Sequence, residues 1–256
     1  MLSSIAIDKV IGISQLAGAE IMKVYAQDFD VQTKADDSPL TIADKLSNEV
    51  IVTGLQALYP DIAFISEETK LTPYEERKKW NTFWLIDPLD GTKEFIKKNG
   101  EFTVNIALIE NGTPVLGVVY VPVTGVTYFG HKEKGSFKIQ NTQQQIHGGE
   151  HYTKKNKINV VGSRSHLSDE TLQFVEQLKA EGKEVNFVSS GSSLKLCLVA
   201  DGTADVYPRF GPTMEWDTAA AHAVALYAGR HVLSAVNKQP LLYNKENLLN
   251  PWFVVE

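Results

Sequence analysis

The segment WLIDPLDGTKEF, residues 84–95, carries the clearest structural and chemical signal in the chain. Its apolar start predicts a buried strand that delivers Asp87 at its end. Pro88 has no amide donor and is expected to stop further strand pairing. Asp87, Asp90 and the Leu89 carbonyl between them can then point at one spot, offering the hard oxygen ligands that Mg²⁺ prefers. The segment predicts a metal site, although Asp90 alone also fits an ordinary Asp-Gly turn.

The GTKEF part of this segment predicts a short helix with free amides at Gly91 and Thr92. Such amides can bind a phosphate at the N-terminus of a helix. The Thr92 hydroxyl needs a partner to take up its proton, and Asp44 is the candidate. The alternative for Asp44 is purely structural, because Thr41 and Asp44 match a capping-box pattern.

Two further segments supply carboxylates. The strand FIS ends in Glu67 and Glu68, and because side chains alternate across a strand, only one of them should face the site. A solvated acidic edge is the alternative. In MEWDTAAAHAV, Asp217 precedes a helix predicted from Thr218, so it is a candidate metal ligand that also fits a helix N-cap.

Composition limits the classes of partner. The chain has 256 residues, 43% of them hydrophobic, and a net charge of -6, which predicts a globular protein that binds neither nucleic acid nor an acidic membrane surface. The single cysteine, Cys197, excludes an internal disulfide and has apolar neighbours typical of a buried thiol. Without a signal peptide or a spanning apolar run, we expect a cytoplasmic protein with no integral membrane segment.

The order of predicted elements divides the chain into two halves. Two amphipathic helices are followed by strands, among them 103–110, which a hairpin at Asn111 and Gly112 joins to the next strand. The polar stretch 140–157 is the candidate boundary. Strands at 158–161, 185–188 and 204–207 then alternate with helices at 171–180, 194–200 and 218–228. We therefore expect an α+β half, residues 1–150, and an α/β half, residues 151–256.

Taken together, KADDSPLTIAD, FISEE, WLIDPLDGTKEF and EWDTAAAHAV resemble the lithium-sensitive, magnesium-dependent phosphatase superfamily that includes inositol monophosphatase and fructose-1,6-bisphosphatase. The order and spacing match along nearly the whole chain. The resemblance implies a mixed α+β and α/β fold, a layered αβαβα sandwich, with the active site between the two halves.

The segments SRSH, GSSLKLCLVADGTADVYPRFGPT and EWDTAA narrow the match, because they look like the bacterial 3′(2′),5′-bisphosphate nucleotidases of the CysQ type. That resemblance implies magnesium-dependent release of the 3′-phosphate from adenosine 3′,5′-bisphosphate, supporting sulfur assimilation, with the sulfated precursor as a further substrate. By analogy, peripheral association with the inner membrane is an alternative to a purely cytoplasmic location. A monomer and a homodimer both remain open.

Site roles carry over by motif position. The resemblance implies that Thr92, polarised by Asp44, activates the attacking water, and that Glu67 joins the catalytic set while Glu68 lies outside it. The metal ligands implied are Glu67, Asp87, the Leu89 carbonyl, Asp90 and Asp217, and the substrate contacts are Gly91, Thr92, His166, Ser192, Lys195, Arg209 and Asp217.

Charge bears on the number of metal ions. The four carboxylates of Glu67, Asp87, Asp90 and Asp217 carry a formal charge of -4, which two Mg²⁺ ions neutralise. A bisphosphate would need further positive charge, from a third Mg²⁺ or from Lys195 and Arg209. Because the metal motifs are shared, an inositol monophosphatase or a sugar bisphosphatase is the main alternative. A catalytically silent nucleotide or metal sensor is a less favoured one, since Thr92 and Asp44 are both present.

Overall fold

The computed structural model describes residues 2–27, 31–33, 39–163 and 168–256. Short 3-10 turns lie at Leu2–Ser4 and Tyr152–Lys154. The α-helices of the described chain are α1 (Ile7–Tyr25), α2 (Ile42–Leu58), α3 (Tyr74–Arg77), α4 (Thr92–Ile96), α5 (Asp169–Ala180), α6 (Leu194–Ala200) and α7 (Glu215–Tyr227). None of these helices is long and apolar enough to cross a bilayer.

A seven-stranded sheet forms the centre of the N-terminal part. Its strands lie in chain order, and every neighbouring pair is antiparallel except the first, which is parallel. A separate short hairpin pairs β1 (Val31–Thr33) with β2 (Pro39–Thr41). The strands of the large sheet are β3 (Ala63–Ser66), β4 (Thr82–Asp90), β5 (Thr103–Glu110), β6 (Thr113–Val121), β7 (Val126–His131), β8 (Gly135–Ile139) and β9 (Gln143–Ile146).

The C-terminal part contributes a second set of strands. β10 and β11 pair in parallel, β14 lies between β12 and β13 in antiparallel pairing, and a bridge from Val160 to Val206 joins the two groups. These strands are β10 (Lys157–Ser163), β11 (Glu184–Ser190), β12 (Tyr207–Arg209), β13 (Val232–Ser234) and β14 (Phe253–Val255).

The elements stack in five layers: α1 and α2, the large sheet, α6 and α7, the second set of strands, and α5. Alternation along β4 explains why both faces of the large sheet are covered, because Trp84 and Ile86 enter the core under α1 and α2 while Phe83 and Leu85 enter the core shared with α7. A third core holds α5 against the second set of strands. The layered αβαβα expectation is confirmed.

Several predicted elements match the structure closely. β5 and α6 have the predicted bounds. Asn111 and Gly112 connect β5 to β6 with φ values of 52° and 74°, as a tight hairpin turn of this kind requires. Cys197 is buried. The division of the chain after residue 150 stays a prediction, although the large sheet ends shortly before it, at Ile146.

Pro88 does not stop the strand, so that expectation was wrong. β4 continues to Asp90, which pairs with Thr103 after an irregularity in register between Asp87 and Asp90. Such a bulge accommodates a proline because its residue needs no ladder hydrogen bond. The Pro88 carbonyl instead accepts a hydrogen bond from the Ser47 hydroxyl of α2, at 2.7 Å.

Two boundaries in the C-terminal part also differ from the prediction. The strand expected at 204–207 is β12, which begins only at Tyr207. The residues before it bond to β10 instead, because the Asp205 amide donates to the Asn159 carbonyl at 2.8 Å and the Val161 amide donates to the Val206 carbonyl at 3.0 Å. The helix expected from Thr218 begins at Glu215. Asp217 therefore lies inside the first turn and does not precede it.

Candidate metal and phosphate site

Three carboxylates from separate elements meet at one point. Glu67 follows β3, Asp87 lies in β4, and Asp217 lies in the first turn of α7. One oxygen from each lies within 4.8 Å of the other two. Because β3 and β4 are parallel neighbours, their carboxyl ends bring Glu67 next to Asp87. Glu67, and not Glu68, belongs to this acidic cluster.

Asp87 is the most deeply placed of the three. Its Oδ1 accepts a hydrogen bond from the Leu89 amide at 3.1 Å, which holds the carboxylate at the bulge. Burial raises the pKa of Asp87 well above its usual value, and the negative charges of Glu67, Asp90, Asp217 and Asp44 raise it further. This site is therefore short of positive charge, which a bound cation would supply.

Asp217 is fixed by the helix that carries it. Met214 is the N-cap of α7, and its amide donates to Asp217 Oδ2 at 2.8 Å, half of a capping box. Desolvation raises the pKa of Asp217 well above its usual value, with Asp90 and Glu67 as the next causes. The sequence suggested that Asp217 could be both a helix N-cap and a metal ligand. It lies three residues after the actual N-cap, and its side chain lines a cavity that Glu67 and Asp87 also line.

Asp90 borders the cluster and connects it to the C-terminal part. Its Oδ2 accepts a short hydrogen bond from the Ser193 amide, just before α6. Desolvation raises the pKa of Asp90 to about 6, against the opposing effects of Lys195 and of the Ser193 hydrogen bond. Asp90 thus stands between the acidic cluster and a cationic region.

The predicted catalytic residues Asp44 and Thr92 come from two further helices, α2 and α4. Asp44 is buried in the first turn of α2, and its charge acts on Asp87. Thr92 is the first residue of α4 and lines the acidic cavity, together with Glu67, Asp87, Leu89, Asp90 and Asp217. The structure brings every predicted metal ligand to this cavity.

Gly91 permits the close approach of two loops at the cavity. Its φ of 94° lies in the left-handed region, and an added Cβ would lie 3.2 Å from the Glu101 carbonyl and 3.3 Å from Ser192 Cβ. A side chain here would strain the turn and push Ser192 away. Glycine therefore allows the C-terminal part to pack over the start of α4.

A second cavity adjoins the first and has the predicted cations. It shares Asp90, Gly91 and Asp217 with the acidic cavity and adds Ser192, Lys195 and Arg209, so we call it the Lys195 cavity. The Lys195 ammonium donates to the Ser192 carbonyl at 2.6 Å and lies 5.6 Å from the centre of the Tyr207 ring. Burial lowers the pKa of Lys195 to about 8.

Arg209 lies where the Lys195 cavity meets a third, more apolar one. Its Nη2 donates to the Pro212 carbonyl at 2.9 Å. The third cavity is lined by Ser163, Ser168, Thr171, Tyr207 and Phe210 among others. His166, the other predicted substrate contact, lies outside the described residues.

Sequence reasoning missed the hydroxyl cluster under Asp90. The Ser193 hydroxyl donates to Asn105 Oδ1 at 2.7 Å and lies 2.9 Å from Thr103 Oγ1, which also accepts from Asn105 Nδ2 at 3.1 Å. These residues tie β5 to the loop before α6. Polar side chains on an otherwise apolar strand, at Thr103 and Asn105, were the available signal.

The donors at the acidic cavity fit a hard divalent cation. The three side chains whose oxygens meet there, those of Glu67, Asp87 and Asp217, are all carboxylates, and Lys195 and Arg209 line the adjoining cavity. Carboxylate oxygens suit Mg²⁺ and Ca²⁺ and lack the nitrogen or sulfur that softer metals favour. The residues present therefore fit a metal of the magnesium type.

Comparison with known proteins assigns the family. The model of the inositol monophosphatase family matches residues 6–252. The chain belongs to the inositol monophosphatase family. Within this family, it is 47% identical over 251 residues to a 3′(2′),5′-bisphosphate nucleotidase CysQ of Salmonella typhimurium, covering 97% of this chain and 98% of the relative.

Two further relatives of this inositol monophosphatase family member show a similar level of identity. The CysQ nucleotidase of Escherichia coli K12 is 48% identical over 252 residues, with 97% and 98% of the two chains covered. The crystal structure of CysQ from Bacteroides thetaiotaomicron, described as a bacterial member of the inositol monophosphatase family, superposes with a TM-score of 0.86 at 45% identity, covering 97% and 95%. The likeness spans both parts of the fold.

Proposed function

We propose that the protein is a metal-dependent 3′(2′),5′-bisphosphate nucleotidase that releases the 3′-phosphate of adenosine 3′,5′-bisphosphate. The observation that carries this proposal is the 47–48% identity to CysQ nucleotidases over 97% of the chain. That range includes both the acidic cluster and the Lys195 cavity, which supports the proposal. The product would be AMP and inorganic phosphate, a reaction that supports sulfur assimilation.

Mg²⁺ is the proposed cofactor, in two or three ions. Glu67, Asp87, the Leu89 carbonyl, Asp90 and Asp217 would hold it, of which Glu67, Asp87 and Asp217 already lie together. When bound, such ions lower the pKa of a water molecule and stabilise the leaving oxygen of an in-line displacement. The elevated pKa values of Asp87 and Asp217 support the proposal, because the site without metal lacks positive charge.

We assign the removal of a proton from the attacking water to Thr92 and Asp44. The Thr92 hydroxyl lines the cavity and would accept the hydrogen bond from the water, while the Asp44 carboxylate would accept the proton of that hydroxyl. Asp44 is buried, and its charge acts on Asp87. The Gly91 and Thr92 amides at the start of α4 are the proposed contacts of the transferred phosphate.

The second phosphate of the substrate is assigned to the Lys195 cavity. Lys195 and Arg209 would balance its charge, and Ser192, His166 and Asp217 would contact the nucleoside. In this proposal, residues 1–150 carry most metal ligands and residues 151–256 carry the nucleotide contacts and Asp217. An inositol monophosphate lacks the second phosphate and would leave Lys195 with no phosphate to contact.

A phosphate-release assay tests the assignment. Adenosine 3′,5′-bisphosphate, inositol 1-phosphate and fructose 1,6-bisphosphate would be compared at equal concentration with and without Mg²⁺. We expect the highest kcat/KM for the nucleotide and no turnover without Mg²⁺. Asp90→Asn serves as the control for contaminating phosphatases, since it should abolish magnesium-dependent turnover. A higher kcat/KM for either other substrate would overturn the substrate assignment.

A further inference from the structure

A loop near the C-terminus, residues 243–250, packs against the outer side of the first turn of α7 and meets the buried carboxylate of Glu215. Glu215 is 0% exposed. Its Oε2 accepts the Asn244 amide at 2.6 Å, and its Oε1 accepts both the Lys245 amide at 3.0 Å and the Lys245 ammonium at 2.5 Å. A buried carboxylate is costly unless it is paired and hydrogen-bonded, so these contacts hold the loop against α7.

Asn250 secures the other end of the loop to the same turn. Its side-chain amide donates to the Met214 carbonyl at 2.8 Å and to Thr218 Oγ1 at 3.0 Å. Its backbone amide donates to the Thr213 carbonyl at 2.8 Å. Both ends of the loop are therefore attached to the first turn of α7.

Arg77 holds the loop from the opposite side. The guanidinium is 1% exposed. It donates to Asn244 Oδ1 at 2.8 Å and to the carbonyls of Lys245 and Glu246, each at 2.7 Å. The loop is thus fixed between Arg77 at the end of α3 and Glu215 at the start of α7.

The same turn of α7 carries Asp217 of the acidic cluster. Asp217 lies two residues after Glu215, and its Oδ2 accepts the amide of Met214, the residue whose carbonyl Asn250 contacts. We propose that Glu215 is a positioning residue for the metal site: by clamping the 243–250 loop onto α7, it holds the Asp217 carboxylate against Glu67 and Asp87. This inference rests on the proposed function, in which Asp217 binds the metal.

Geometry explains why the charge of Glu215 matters as well as its size. Both of its oxygens face only donors among these contacts, which are two backbone amides and one ammonium. A glutamine at this position would turn an amide NH₂ toward at least one of these donors. The loop should then shift outward and carry the first turn of α7 with it.

The test compares Glu215→Gln with Glu246→Gln. Glu246 lies next to Lys245, is exposed, and contributes only its carbonyl to Arg77, so its variant removes the same charge without touching the clamp. We expect Glu215→Gln to raise the Mg²⁺ concentration for half-maximal activity at least fivefold, and to raise KM for the bisphosphate by less than this, because Asp217 is only one of the proposed substrate contacts. Glu246→Gln should match the wild type in both.

A direct binding measurement distinguishes a positioning role of Glu215 from a purely stabilising one. It also distinguishes both from a failure of the proposed metal site. Calorimetric titration with Mg²⁺ alone should give at least fivefold weaker binding for Glu215→Gln than for the wild type. Equal Mg²⁺ affinity of the two, with only a lower Tm in the variant, would overturn the positioning role. Absence of Mg²⁺ binding to the wild-type protein would instead refute the proposed metal site.

A milder variant covers the case in which Glu215→Gln does not fold. Lys245→Met removes the ammonium, with its contacts to Glu215, to the Leu242 carbonyl and to Asn250 Oδ1, and keeps both backbone amides on Glu215. We expect Lys245→Met also to weaken Mg²⁺ binding. The logarithm of its Kd should change by about half as much as in Glu215→Gln. Unchanged Mg²⁺ affinity in folded Lys245→Met would then overturn the proposal.

Discussion

At the scale of single residues, burial determines the chemistry available to the site. Asp87 and Asp217 have raised pKa values because several carboxylates share a poorly solvated cavity, whereas burial lowers the pKa of Lys195. Both charges act on Asp90, because Glu67 raises its pKa and Lys195 lowers it. The acidic cluster thus lies beside a cation whose pKa is lowered by burial.

Thr92→Ala tests the proposed route of the proton. The substitution removes the hydroxyl at the acidic cavity and leaves the amide in place, so we expect kcat to fall by about 10² to 10⁴-fold, the usual range for general acid–base contributions. Steady-state kinetics at saturating Mg²⁺ measure this effect. Thr92→Ser keeps the hydroxyl and serves as the matched control. A wild-type kcat in the alanine variant would remove Thr92 from the mechanism.

The pH dependence of kcat/KM tests the role of Lys195. Burial lowers the pKa of this ammonium to about 8, so it is protonated below that pH and loses its charge above it. We expect kcat/KM for the bisphosphate to fall as pH rises through about 8, because kcat/KM reports the free enzyme. Lys195→Met should have a lower kcat/KM below about pH 8 and lack this alkaline fall. The same fall in both proteins would assign it to another group.

At the scale of elements, the position of α7 depends on how closely it approaches the large sheet. Glycines in β6 and β7 let the helix backbone touch the strands, since an added Cβ would lie 2.2 Å from the Ala220 carbonyl at Gly117 and 2.4 Å from the Ala223 carbonyl at Gly130. The helix itself is rich in alanine on its buried faces. Small residues on α7 and on the two strands therefore determine how close α7, and with it Asp217, lies to the large sheet.

Gly117→Ala tests this close approach. The added methyl group would collide with helix backbone that cannot move aside without shifting α7, so we expect a loss of about 1–3 kcal/mol in the free energy of unfolding, as for overpacked cores. Urea denaturation measures the change. Gly12→Ala is the matched control, because a Cβ there meets nothing within 4 Å and lies in α1, where alanine favours the helix. Equal stability of the two variants would contradict the packing argument.

At the scale of the whole molecule, residues from both parts of the chain meet at the acidic cavity. Glu67 and Asp87 come from the large sheet, whereas Asp217 comes from α7, and Ser193 of the loop before α6 donates to Asp90. Metal binding at this junction should stabilise the entire fold, because a ligand that binds only the folded state adds about 2.7 kcal/mol at 100 times its Kd.

The thermal stabilisation by Mg²⁺ should depend on pH. The pKa of Asp90 in the folded protein is about 6, above its usual 3.8, so its contribution to the stability of the metal-free protein is present below about 3.8 and lost as pH rises through about 6. Mg²⁺ needs the ionised carboxylate, so the Tm increase on adding Mg²⁺ should grow between pH 5 and 7.

Differential scanning calorimetry with and without Mg²⁺ measures this increase. Asp90→Asn cannot titrate at that position and should show a smaller dependence of the Mg²⁺ effect on pH. A Tm increase that is constant from pH 5 to 7 in the wild-type protein would contradict the prediction.

Much of the fold follows from local sequence alone. Apolar alternation, the Asn111-Gly112 turn and helical periodicity depend on neighbouring residues, which is why β5, α6 and the hairpin agree with prediction. The acidic segments and their order were sufficient to indicate the family. The roles of the site residues themselves stay predictions.

Tertiary structure decided what depends on residues distant in the chain. The Pro88 carbonyl in the bulge bonds to Ser47, 41 residues earlier in the chain, and the clamp at Glu215 needs a loop about 30 residues away. The pKa values of Asp90 and Lys195 likewise result from desolvation and from charges brought together by folding. Local pattern determines which elements form, because backbone propensity acts over a few residues, whereas the electrostatics of the site arise only when separate elements exclude water between them.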